Sequence, residues 1–175
     1  MATVSNDQRE RFLSYISHQV AKGPESIRDT IQKGHDQVLR VIDGLSEQQA
    51  TFKPGPDDWS ILEVLRHAVD AERRVGQSCA ALARGETPAG QAQPGRSGGA
   101  LPSLAEARSA LDAAHDELLA FVATLSPETN LEARFEHPFF GPLNCQEWAV
   151  FQRVHDGDHA EQIEQTKGAE GFPAA

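Results

Sequence analysis

The stretch QRVHDGDHAEQI, residues 152–163, sets two histidines, His155 and His159, four residues apart. On a helix that spacing puts both imidazoles on one face, one turn from each other. Such a pair is half of a transition-metal site, or it is two polar residues with separate partners. Helical steps along the same stripe reach Trp148 and Phe151 in one direction and Gln162 and Ile163 in the other. The stripe is therefore the aromatic, inward side of its helix, while Arg153, Asp156, Glu161 and Glu164 fall elsewhere on the wheel. A buried imidazole without a partner costs about 1–3 kcal/mol, and one cation would satisfy both. The intervening residues are Asp-Gly-Asp, so the H-E-x-x-H arrangement of metalloproteases, with its glutamate base, is absent.

A third ligand has to come from elsewhere in the chain. His67 is the natural one. It stands beside Val64 and Ala71 at the edge of an apolar arc that runs through Ile61, Leu65, Ala68, Val75 and Cys79, the place for a ligand facing a cleft. His35 follows Gly34 on a mostly polar turn, and His115 precedes Asp116 and Glu117, so both are poorer candidates. His18 belongs to an outer helix, and His137, before Pro138, would line a pocket mouth. From pattern alone, a three-histidine site and scattered structural histidines are equally balanced.

Glu63, Asp158 and Gln162 are candidates to support such a site. Glu63 lies one turn before His67, but it also stands three residues after Ser60, where a capping box would use it. Asp158 suits a solvated position. Gln162 lies on the histidine stripe and could orient a ring by a hydrogen bond. Trp59 and Trp148 read as core, with Trp59 closing one end of the fold. Arg66, Arg73, Arg74 and Arg153 are the cations available for an acidic ligand. Cys79 and Cys145 fall within helical patterns and read as small buried hydrophobes. No G-x-S-x-G elbow, phosphate loop or dinucleotide fingerprint occurs.

The elements that must position these residues are helices. Strand signals are poor, and helix starts are well marked. Pro24 opens one helix, with Ile27, Ile31, Val38, Val41, Ile42 and Leu45 at helical spacing. Ser60 with Glu63, and Ser103 with Glu106, read as capping boxes; Asn144 with Glu147 reads as a third. The corresponding helices end near Gly85, after Val122 and at Gly168. A shorter helix within residues 1–22 packs outside. Residues 85–102 read as a flexible Gly/Pro-rich connection, and the aromatic segment SPETNLEARFEHPFFGP packs down on the fold. Four long helices with long second and third connections imply an all-α four-helix bundle, whose order of directions the pattern leaves open.

The bulk numbers agree. The 175 residues suit one domain, and 39% hydrophobic with 24% charged residues suits a soluble globular chain. A formal net charge of -10 disfavours nucleic acid or an anionic membrane as partner. No apolar run suits a membrane span or a signal peptide, so a cytoplasmic location is expected.

DDWSILEVLRHAVDAE resembles the second-helix signature of the DinB-like (DinB/YfiT-like) superfamily. HPFFGPLNCQEWAVFQRVHDGDHAEQI is similar to its fourth-helix signature, and the resemblance covers about residues 25–166. It implies one DinB-like domain over 1–175, with a divalent zinc, nickel or iron ion held at positions matching His67, His155 and His159. Characterised members include bacillithiol or mycothiol S-transferases and a maleylpyruvate isomerase. The expectation is a metal-dependent thiol S-transferase in detoxification or stress response, acting on a low-molecular-weight thiol and a small electrophile, with Glu63 and Gln162 assisting and a homodimer mildly favoured. The alternatives are a hydrolase using metal-bound hydroxide and a non-enzymatic stress-associated binding protein.

Overall fold

The computed structural model describes residues 5–89 and 99–174. Along the chain it has α1 Asn6–Ala21, α2 Pro24–Ile42, α3 Glu47–Thr51, α4 Ile61–Ala83, α5 Leu104–Val122, β1 Phe135–His137, β2 Gly141–Leu143 and α6 Cys145–Lys167. No helix among these residues is long and apolar enough to cross a membrane.

The helix starts follow from side chains that satisfy the first-turn N–H groups. Ser60 Oγ accepts from the Glu63 amide, and the Glu63 carboxylate accepts the Ser60 N–H at 2.8 Å. Asn144 and Glu147 close the same reciprocal pair at α6. At α5 only half of the expected box forms. Ser103 accepts from the Glu106 amide, but Glu106 does not reach back. Glu47, on α3, instead accepts the neighbouring Leu104 N–H at 2.9 Å.

Apolar faces pair at each end of the bundle. The starts of α2 and α6 pack with the ends of α4 and α5, through Ile27, Ile31, Cys79, Leu118 and Val150. The ends of α2 and α6 pack with the starts of α4 and α5, through Val38, Leu65, Leu111 and Ile163. The directions are therefore up, down, down, up. Neighbouring α4 and α5 run the same way, so the chain must return along the whole bundle between them. A helix of this length spans about 34 Å, which residues 84–103 cover with ease. The central part of the expected flexible connection, residues 90–98, lies outside the described residues.

The connection from α5 to α6 stays at one end of the molecule and covers it. Phe140 and Leu143 pack into the core as expected while Phe139 stays exposed, and the segment forms an unexpected two-stranded hairpin. Phe135 pairs with Leu143 and His137 with Gly141. Gly141 adopts φ +78°, a conformation that favours glycine. Arg9 on α1 pins the turn by donating to the carbonyls of Phe139 and Phe140. Strands this short carry no periodicity of their own, so tertiary anchoring creates them. α1 itself lies against α2 and α6 and buries Ile16.

Cys79 and Cys145 are buried free thiols. Burial raises both above their ordinary pKa, which suppresses the reactive thiolate. Between the two apolar ends lies a polar layer. His35, Glu72, His115, Gln152 and Asp156 are all buried there.

Candidate metal centre

α4 supplies His67 and α6 supplies His155 and His159. The box at Ser60 fixes where α4 begins, and so sets His67 two turns inside it. The box at Asn144 sets the register of α6 in the same way. Antiparallel packing of α4 on α6 then brings the three rings together. Their ring centroids lie 5.4 Å apart for His67 and His155, 5.0 Å for His67 and His159, and 4.3 Å for His155 and His159. One nitrogen from each comes within 4.8 Å of the others.

Hydrogen bonds assign roles to the nitrogens. Gln162 Oε1 accepts from His159 Nδ1 at 3.1 Å, which leaves the lone pair on Nε2. That lone pair faces His155 Nε2 at 3.2 Å. A separation near this value is what two nitrogens show when each lies about 2.1 Å from one ion. His155 Nδ1 is buried and meets no hydrogen-bond partner among the described residues, so without a cation one side of this ring or the other is left frustrated. The ring of His67 packs edge-on against Trp59 at 5.2 Å.

Electrostatics keep His155 and His159 in the ligand form. Burial first, then the charges of His159, His67, Arg74 and His137, holds His155 well below the ordinary histidine range. Burial lowers His159 to about 4. Neutral His155 and His159, with His67 bringing a ring nitrogen within 4.8 Å of theirs, fit a divalent transition metal and leave coordination positions open.

The supporting residues divide. Gln162 joins the cluster through His159. Glu63 does not; its carboxylate is taken by the Ser60 amide and by Lys53 Nζ at 2.8 Å. Asp158 is exposed. Trp148 is core, with its indole N–H donating to the Phe135 carbonyl. His137 is buried among Phe140, Trp148 and Phe151, and its Nδ1 accepts the amide protons of Phe139 and Phe140.

A cavity of about 310 Å³ lies further along α4, where Val75, Phe135 and Trp148 line it together with Arg74, Arg84 and Glu86; the three histidines are not among its lining residues. Arg74 stands two helical turns beyond His67 on the same face of α4. Of the four arginines considered, it is the one that both lines the cavity and acts on His155.

A sequence model described as the DinB superfamily matches residues 30–163, most of the chain. The chain belongs to the DinB superfamily. All three histidines fall inside the matched span. This DinB-superfamily chain is 26% identical over 143 residues to the uncharacterized protein YuaE of Bacillus subtilis (strain 168), covering 72% of this chain and 88% of that one. The crystal structure of TT2238, a four-helix bundle protein, matches with a TM-score of 0.63 at 22% identity, over 81% of this chain and 98% of that one. That likeness shows the fold.

Sequence reasoning passed over a second group. His35, Glu72 and His115 also bring one potential ligand atom each within 4.8 Å of one another, and all three are buried. The signal was register. His35 stands four residues after Ile31 and three before Val38, His115 four after Leu111 and three before Leu118, and Glu72 four after Ala68 and three before Val75. Each is a polar residue on the apolar repeat of its helix; the polarity of immediate neighbours such as Asp116 concealed it.

Proposed function

We propose that this protein is a metal-dependent S-transferase that joins a low-molecular-weight thiol to a small electrophile, as bacillithiol- and mycothiol-dependent enzymes do. The observation that carries the proposal is the gathering of the imidazoles of His67, His155 and His159, from two helices, with a nitrogen of each within 4.8 Å of the others. His67, His155 and His159 would hold a divalent zinc, nickel or iron ion. When bound, such an ion supplies Lewis acidity that favours the thiolate form of a thiol near neutral pH.

The chain's own residues do the rest. Gln162 holds His159 in the tautomer with its lone pair on Nε2. Trp59 braces the ring of His67. Arg74, whose charge acts on His155, would attract an anionic group on either reactant, and Val75, Phe135 and Trp148 would offer the cavity further along α4 an apolar wall. The net reaction forms one carbon–sulfur bond. The thiol gives up its proton, and the electrophile either expels a leaving group or, as a conjugated alkene, takes the proton on carbon.

The test is conjugation of bacillithiol or mycothiol to monochlorobimane by metal-loaded protein. Conjugate formation should require both thiol and metal, and His155→Ala should reduce it to the rate of the protein-free mixture. Ester hydrolysis without added thiol would assign the hydrolytic alternative. Retention of metal and thiol with no turnover of any substrate would assign a binding protein.

A further inference from the structure

The four long helices converge on a second constellation that the S-transferase proposal leaves unused. It lies in the polar layer between the two apolar ends of the bundle. His35 comes from α2, Glu72 from α4, His115 from α5, and Gln152 and Asp156 from α6. Relative exposures are 6% for His35, 2% for Glu72, 3% for His115, 0% for Gln152 and 4% for Asp156.

The hydrogen bonds turn acceptors inward. The Gln32 amide nitrogen donates to Asp36 Oδ1 at 2.9 Å, which fixes the amide so that its oxygen faces His115 Nε2 at 3.2 Å. His115 Nε2 is therefore the protonated nitrogen, and Nδ1 turns its lone pair to Glu72 Oε1 at 3.1 Å. Two acceptors at that distance must share a proton, which burial favours on Glu72, or a metal ion in its place. His35 is anchored alike. Its Nε2 donates to Asp112 Oδ1 at 3.0 Å, which leaves the lone pair on Nδ1. The two rings stack in parallel with centroids 4.1 Å apart. An imidazole that donates one N–H to an outer acceptor and keeps the other nitrogen free is the usual posture of a metal ligand.

α6 adds to the surplus. Gln152 donates to Asp156 Oδ1 at 2.7 Å, whereas Asp156 Oδ2 and Gln152 Oε1 are buried and meet no hydrogen-bond partner among the described residues. Burial, and then the charge of Glu72, opposes ionisation of Asp156. Burial opposes ionisation of Glu72 too, and one dipositive ion among these groups would cancel the two negative charges that form when both ionise. Unpaired charges of that size are otherwise costly in such a place.

We propose that His35, Glu72 and His115 form a second divalent-cation site inside the bundle, distinct from the three histidines, with Asp156 as a neighbouring counter-charge. Its set of two imidazoles and a carboxylate suits zinc, iron, manganese or cobalt. It is drawn from facing helices of a bundle core, the usual place for such sites. The sealed surroundings give it a structural role, clamping α2, α4 and α5 together at mid-height against α6. Because the rings lie parallel, their lone pairs converge on one ion only after some rotation about χ2.

The test is titration of the metal-stripped full-length protein with Co²⁺, counting equivalents per chain. Two are expected in the wild type. Glu72→Gln should lose one equivalent and keep the other; it preserves volume and offers His115 Nδ1 an amide donor, so the fold survives. His155→Ala with His159→Ala should lose the opposite equivalent. A single equivalent in the wild type that disappears in the double histidine variant would overturn the proposal, and so would two equivalents unchanged by Glu72→Gln. Neither result bears on thiol conjugation, which depends on the other cluster.

Discussion

Gln162 is the plainest residue-scale test of how the three rings are held. It accepts from His159 Nδ1 and fixes which nitrogen faces the cluster. Gln162→Ala removes that acceptor and leaves the helix intact, so metal affinity should fall about 10–100-fold with no loss of helical content. Competition against a chromophoric chelator measures it, and an unchanged affinity would place Gln162 outside the site. His137 carries a pH prediction. Burial lowers its pKa to about 4, whereas in an unfolded chain it lies near 6.5. Between those values the unfolded state binds more protons. The stability that neutral His137 contributes is complete above pH 6.5 and is lost as pH falls toward 4. Glu72 acts in the opposite sense, since burial raises it to about 7, and the folded state binds the extra proton as pH falls from 7. A variant separates the two. Asn at position 137 keeps an acceptor for the Phe139 and Phe140 amides but does not titrate. Metal-free His137→Asn should therefore gain about 2 kcal/mol on the wild type between pH 7 and 5. Parallel urea-denaturation curves at the two pH values would contradict this.

At the scale of elements, two glycines make opposite predictions from the same helix propensity. Gly76, within α4, has open space where a Cβ would stand. Gly76→Ala should stabilise by about 0.5–1 kcal/mol. Gly34 lies where α2 crosses α6. A Cβ there would stand 2.6 Å from Asp156 Oδ2 and 3.2 Å from Arg153 Cα. Gly34→Ala should cost about 1–3 kcal/mol through overpacking, more than the propensity gain returns. Thermal or denaturant melts of both variants check the contrast, and two shifts of the same sign would refute the close approach of α2 and α6. The elements themselves were largely legible in the sequence, because caps are local. Ser60, Asn144 and Pro24 each mark a helix start within their own few residues. The failures were non-local. The half-formed box at Ser103 depends on Glu47 from another helix, and the hairpin depends on Arg9 and Phe140 anchoring three-residue strands. The parallel course of α4 and α5 is written in no single helix; it appears only once both ends of the bundle are packed.

For the whole molecule, the core is two apolar ends with a polar storey between them, and the chemistry sits in that storey. The His155/His159 pair and His67 were visible beforehand because aromatic residues flank the pair and an apolar arc runs beside His67. The second cluster was hidden because it draws on all four helices, and no helix alone shows that its one polar residue in the apolar register has partners. Metal binding by the three histidines should stabilise the assembled bundle, since the unfolded chain cannot gather ligands from α4 and α6. At free metal 100 times the dissociation constant the gain is about 2.7 kcal/mol. A thermal melt with and without added Zn²⁺ should show it for the wild type, with a smaller shift for His67→Ala. The most direct measurement is an anomalous-scattering map from crystals grown with Zn²⁺, collected on both sides of the zinc edge. A zinc peak bounded by His67, His155 and His159 is the expected result. A map with no zinc density among those three rings would contradict the metal centre on which the function rests.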